Sequence, residues 1–155
     1  MKHMVMKITK LTLLASLAVV VLSVCGCAKA GIGGPSYTID GVADGSQVVP
    51  SISSTSSGSI SGTFDGNKNT LNGFIKWNSL SGPPTAIHIH TGPPGRIGYP
   101  SFIIHTFPKG VTDSVRFTSA FTESQETGIS KGVYYFDVHT AAFPEGEIRG
   151  QIIAH

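Results

Sequence analysis

Two histidines one residue apart, in Ala86-Ile87-His88-Ile89-His90, are the residues of this chain best suited to chemistry. Side chains of a strand alternate between its two faces, so Ile87 and Ile89 fall on one side and His88 and His90 on the other. A pair of neutral imidazoles in that relation can share one metal ion. The segment Val133-Tyr134-Tyr135-Phe136-Asp137-Val138-His139 has the same phase. Tyr134, Phe136 and Val138 form its apolar face, and Tyr135, Asp137 and His139 lie opposite. The alternation therefore expects three imidazoles, from two segments far apart in sequence, on polar faces outside the packed interior. Two solvent-facing histidines on a strand also arise by chance, and that alternative stays open on pattern alone. His105, in Phe102-Ile103-Ile104-His105, is a further candidate ligand. Its strand is apolar on both faces, so alternation does not orient it, and a partly buried, hydrogen-bonded histidine is the plainer reading.

No other constellation competes. No Ser-His-Asp set can be placed, no cysteine follows Cys27, no paired carboxylates have an obvious spacing, and no phosphate-binding loop is present. The chain reads as a binding module rather than a conventional enzyme. A redox reaction at a copper site is the one enzymatic reading with support.

The elements that must position these residues are strands. After residue 36 the sequence is rich in Gly, Pro, Ser and Thr, with short β-branched and aromatic runs between turn signals and no sustained 3.6-residue period. Strands are expected at Tyr37–Val42, Ser57–Asp65, Leu71–Leu80, Thr85–His90, Ser101–Thr106, Val111–Phe121, Gly132–Thr140 and Glu147–Ala154. Gly66-Asn67-Lys68-Asn69 is a hairpin connection, and Pro83-Pro84 and Thr91–Gly95 are turn punctuation. Glu123–Ser130 is the single stretch where a helical turn is expected. The Ser-rich segment 51–61 is read as partly strand, because Ile60 and Phe64 share a face with Gly58 and Gly62. The expected fold is all-β, an antiparallel Greek-key-like sandwich or barrel of about 8 strands.

The N-terminus is a targeting segment. Lys2, Lys7 and Lys10 precede the mostly apolar run Leu11–Val24, and Cys25-Gly26-Cys27 follows. At 14 residues the run is shorter than the roughly 20 needed to span a bilayer, so residues 1–26 read as a signal peptide. Its end is similar to a bacterial lipobox. Cys27, preceded by Gly26, is the expected lipidated residue, with Cys25 as the alternative. An ordinary cleaved signal without lipid is the other reading. The protein is thus expected to be exported and held in the cell envelope by a lipid anchor, on the periplasmic or surface side of a bacterial membrane. Residues 27–36 form a flexible tether and 37–155 the β domain. Without the three leader lysines, 8 Lys and Arg face 9 Asp and Glu, so no basic patch for nucleic acid is expected.

Longer motifs identify a family. Ala86-Ile87-His88-Ile89-His90-Thr91-Gly92-Pro93, followed by Tyr135-Phe136-Asp137-Val138-His139-Thr140-Ala141-Ala142-Phe143-Pro144-Glu145-Gly146-Glu147-Ile148-Arg149-Gly150-Gln151, resembles the CHRD domain, as do Gln47–Pro50 and Ser79–Gly82. The resemblance covers about residues 37–153 and implies an antiparallel β-sandwich or barrel. Asp137 stands where the family often has Asn, and His105 where an apolar residue is commoner. A fainter similarity, His88-x-His90 with a later His139, is to the copper ligands of Cu/Zn superoxide dismutases, although no companion cluster for a zinc site follows.

Taken with the resemblance, His88, His90 and His139 are the expected ligands of a metal ion, copper before zinc. Asp137 and Thr140 are the expected groups that orient a ring. Arg149 has two readings, an anion or ligand clamp beside the histidines and a charge-assisted lock on a loop. Pro144-x-Gly146 reads as a tight turn. The competing function is a non-catalytic cell-surface adhesion module, binding protein or polysaccharide without metal through the 91–100 loop, with Tyr99 and Phe102 near it.

Overall fold

The structure, a computed structural model, describes residues 34–155. The expected leader 1–26, with Cys25, and residues 27–33 of the expected tether, with Cys27, lie outside the described residues. Nine strands form one antiparallel sheet: β1 (Tyr37–Asp44), β2 (Ser57–Asp65), β3 (Thr70–Asn78), β4 (Pro84–Thr91), β5 (Tyr99–Ile103), β6 (Asp113–Ala120), β7 (Tyr134–Thr140), β8 (Ile148–Gln151) and β9 (Ile153–Ala154). One α-helix is present among the described residues, α1 (Glu123–Ser130), which joins β6 to β7. The spatial order is β5-β4-β7-β8-β1-β2-β3-β6, with β9 on β1, and the sheet is nearly closed into a barrel. The chain crosses between the halves of this order from β3 to β4, from β5 to β6 and from β6 to β7.

Period-two alternation fills the interior. β1 contributes Ile39 and Ala43, β2 Ile60 and Phe64, β3 Leu71, Ile75 and Trp77, and β4 Ile87 and Ile89. Phe136 and Val138 of β7 and Ile148 of β8 close the same core. Its largest member, Trp77, donates its indole N–H to Gly110 O at 2.7 Å, so the ring is buried without an orphaned donor.

The expected strands differ from the observed ones mainly where the chain changes partner. Glu147–Ala154 is two strands rather than one. Ile152 gives its N–H to Tyr134 O at 2.8 Å, and Ile153 then pairs with Asp40 of β1. β5 begins earlier and stops at Ile103, because the next amide, of Ile104, bonds Ile87 O and turns Ile104 into the core. Of the expected tether, Gly34 donates its N–H to Gly66 O at 3.0 Å, and Ser36 Oγ accepts from Gly66 N at 3.2 Å, which ties that end to the β2–β3 turn.

One buried carboxylate fastens the Ser-rich segment to the sheet. Glu147, fully buried just before β8, faces Ser56 Oγ at 2.5 Å, Ser81 Oγ at 2.6 Å, Thr140 Oγ1 at 2.7 Å and the Ser81 amide at 2.8 Å. Burial disfavours its charge, but these donors from Ser56, Ser81 and Thr140 outweigh it and hold the group below its ordinary 4.5. A lowered carboxyl pKa contributes stability that is present above the unfolded value and lost as pH falls through the folded one. Glu147→Gln is expected to lose about 1–3 kcal/mol at neutral pH. The gap to wild type should narrow as pH drops below the ordinary carboxyl range, measured by denaturant melts across that range.

Candidate metal centre

Strand register assembles the histidines. β4 and β7 pair so that His88 lies opposite Asp137, Ala86 opposite His139 and His90 opposite Tyr135. β7 and β8 pair with Asp137 opposite Arg149. Because residues two apart on one strand share a face, His88, His90, Asp137, His139, Tyr135 and Arg149 occupy one face of three adjacent strands. Each of His88, His90, Asp137 and His139 offers one ligand atom, and these atoms lie within 4.8 Å of one another.

That face is not open, contrary to the expectation that the imidazoles sit outside the packed interior. His90, Asp137 and His139 are 7, 6 and 9 % exposed, and every residue of β7 is buried. The cover comes from loops. Gly98 accepts a hydrogen bond from His90 Nδ1 at 3.0 Å and gives its own N–H to Tyr135 Oη at 3.2 Å. A Cβ at Gly98 would run into Thr91 O, so only glycine lets the 92–98 loop return this close to β4. On the other side, Phe143–Gly146 makes a turn closed by Gly146 N to Phe143 O at 3.1 Å, and Pro144 O takes the Nδ1 proton of His139 at 2.8 Å.

Those two backbone carbonyls determine the chemistry of the rings. A carbonyl only accepts, so Nδ1 carries the hydrogen in both His90 and His139, and each Nε2 is the atom left to coordinate or to protonate. Both Nε2 atoms face Asp137. His139 Nε2 is 3.0 Å from Oδ1, and His90 Nε2 is 3.0 Å from Oδ2 but at an angle that makes no hydrogen bond. His88 Nδ1 lies 3.8 Å from Oδ1 and is likewise buried without a hydrogen-bond partner. Lone pairs aimed at a buried carboxylate repel unless positive charge stands between them, either a proton or a metal ion. A proton on His139 satisfies that ring, and one on His90 would form an ion pair with Oδ2, whereas a single metal ion would meet all three rings at once.

The titration directions follow. Burial works against the charged form of His139, yet the Asp137 carboxylate and the Pro144 carbonyl outweigh it and raise the ring's pKa. Burial also opposes ionisation of Asp137, but His139 and His90 beside it hold the carboxyl below its usual range. In His88 burial dominates, helped by the neighbouring rings, and the pKa falls, keeping this ring neutral and ligand-competent.

The donor set fits a transition metal: three imidazoles and one carboxylate, with bond lengths near 2.0–2.2 Å placing opposite ligands about 4 Å apart. The ligand atoms here lie within 4.8 Å of one another, a slightly wider spread. The second ring nitrogens of His90 and His139 are anchored by backbone carbonyls, the outer support that metal-bound histidines ordinarily have.

Several expected roles change. Asp137, expected behind the ligands, points its carboxylate into their midst. Thr140, expected to orient a ring, turns to the opposite face and donates to Glu147 Oε2, because its parity is that of Val138 rather than His139. His105 lies beyond the end of β5, exposed, and is not among the clustered ligands. Arg149 locks a loop, donating to Pro93 O at 3.1 Å, and its guanidinium lies 3.6 Å from the centroid of Tyr135. The other face of Tyr135 stacks on His90, with centroids 4.7 Å apart and planes at 7°. The parity of Tyr135 with His139 was the one sequence sign of this stack. The carbonyls of Gly98 and Pro144 left none, since backbone acceptors are invisible to residue type.

A family model described as the CHRD domain matches residues 40–152. No curated protein and no solved structure matches the chain.

The tautomers are directly measurable. Long-range ¹⁵N–¹H correlation spectra at neutral pH should show protonated Nδ1 in both His90 and His139. An Nε2–H tautomer in His90 would contradict the site as described.

Proposed function

The chain belongs to the CHRD family, and on that premise we propose that it is an exported, lipid-anchored protein that binds a metal ion through His88, His90, His139 and Asp137, copper in preference to zinc. The observation that carries the reading is the pair of buried ring nitrogens without hydrogen-bond partners, His88 Nδ1 and His90 Nε2, gathered with His139 around one carboxylate. A buried polar atom left unpaired costs about 1–3 kcal/mol, a cost that coordination removes. Nitrogen-rich sets favour copper and zinc, and copper stands above zinc in divalent affinity. Bound copper supplies a Lewis-acidic, redox-active centre. The chain's own part is to hold each ring by its Nδ1–H, to exclude bulk water with the 92–98 and 143–146 loops, and to balance charge with Asp137.

Export and anchoring rest on the leader. Its short apolar run ends at a lipobox-like cysteine, and acyl chains on one residue add about 0.8 kcal/mol of membrane affinity per buried CH₂. The described residues contain no helix long and apolar enough to cross a membrane.

A second reading, metal-independent adhesion, draws on Ile97, Tyr99 and Ile103, which are 73, 91 and 53 % exposed along the loop and edge strand that flank the histidines. It differs in its response to chelators, since a melting temperature and partner binding that ignore them would favour it.

Elemental analysis of the protein purified without a polyhistidine tag should find close to one equivalent of copper or zinc. His90→Ala with His139→Ala should remove it, a loss larger than the roughly 10–100-fold of an outer-support change. Metal at 100 times its Kd should add about 2.7 kcal/mol of stability, near 10 °C in Tm for a domain of this size. Equal metal content in wild type and double variant would end the coordination reading. Separately, Cys27→Ser should abolish incorporation of labelled fatty acid while Cys25→Ser leaves it, and label in the Cys27 variant would shift the anchor to Cys25.

A further inference from the structure

Arg149 is a buried cation that no carboxylate touches. The residue is 4 % exposed, and among the described residues it forms no ion pair within 4.0 Å. Asp137, its partner across β7 and β8, spends both oxygens on the histidines. Among the described residues, the loop bond to Pro93 O is the one hydrogen bond its guanidinium makes, out of five N–H donors. Holding a loop and stacking on Tyr135 do not by themselves call for a full buried charge. The group lines a cavity of about 230 Å³ that is also lined by His90, Asp137, His139, Val49 and Ile97.

From this geometry we propose that the cavity binds a small monovalent anion, of the size of azide or a short carboxylate, between the Arg149 guanidinium and the metal ion. The inference rests on the coordination reading of the same histidines. Charge selects the class of ligand. A divalent ion and Arg149 outweigh the single buried carboxylate of Asp137, so the pocket is net positive where water is scarce and electrostatic attraction strong. Glu145 also lines the cavity; solvent weakens its charge because it is exposed, and even counted in full it leaves the metal-loaded pocket net positive. Size restricts the ligand further. The volume is below the roughly 300–1,000 Å³ of sites for larger organic molecules. A planar or linear anion suits the guanidinium, whose N–H groups present a fixed fork.

The test titrates azide into the full chain loaded with copper(II), reading the azide-to-copper charge-transfer absorption, with metal content measured on every sample. Wild type should bind azide saturably. Compared at equal copper occupancy, Arg149→Met should weaken azide binding by about tenfold or more, the equivalent of one charge-assisted hydrogen bond. Ile97 is exposed at the cavity wall, so charges placed there do not threaten the core. Ile97→Glu should weaken azide binding and Ile97→Lys tighten it, each by about threefold and less so at high salt. Should Arg149→Met fail to fold, the opposite shifts of the Ile97 pair decide. Metal-loaded wild type that ignores azide, or azide affinity indifferent to Arg149 and Ile97, overturns the anion site and leaves coordination standing. Wild type that takes up no metal overturns coordination, and the anion site with it.

Discussion

A carboxylate ringed by imidazole nitrogens, deep under two loops, is the arrangement on which the rest of this structure depends. Asp137 lies within 4 Å of ring nitrogens from three histidines, two of them on the neighbouring strand. The carbonyls of Gly98 and Pro144 commit the Nδ1 hydrogens of His90 and His139, which leaves their remaining nitrogens directed at Asp137. In water such lone pairs and carboxylate oxygens would each find a solvent hydrogen. Buried, they need a cation among them, and burying a bare anion is too costly to leave uncompensated.

That requirement explains why β7 is enclosed on both faces. Its inward face packs Phe136 and Val138 into the barrel, as any strand of such a sheet would. Its outward face would ordinarily meet solvent. Here the 92–98 loop is drawn over it by Gly98 and by the Arg149–Pro93 bond, and Gln151 Nε2 adds bonds to Gly92 O and Gly132 O. The polar face thus becomes a second interior, built from hydrogen bonds and stacked rings rather than from aliphatic packing. Glu147 serves the same economy of buried charge on the opposite side, with hydroxyls in place of imidazoles.

Much of the fold was legible because alternation is a local property. Ser57–Asp65 and Glu123–Ser130 have the expected bounds, and the parity of Ile87 and Ile89 against His88 and His90 is observed as read. The misreadings came where a residue's partner lies far away. Nothing within 147–154 signals that Ile152 bonds to Tyr134 and splits the last strand. Thr140 looked like a neighbour of His139 by adjacency, whereas strand geometry turns consecutive residues to opposite faces.

The chain's own order of residues determined the all-β class, the face on which each histidine sits, and the family motif, because each depends on neighbours within a few positions. Tertiary structure alone decided that His88, His90 and His139 meet, that Asp137 stands among them, and that loops close over them. Those outcomes depend on the register between β4, β7 and β8 and on backbone carbonyls brought back by turns. Pairing between strands some 50 residues apart, and acceptors common to every residue type, leave no mark in side-chain order.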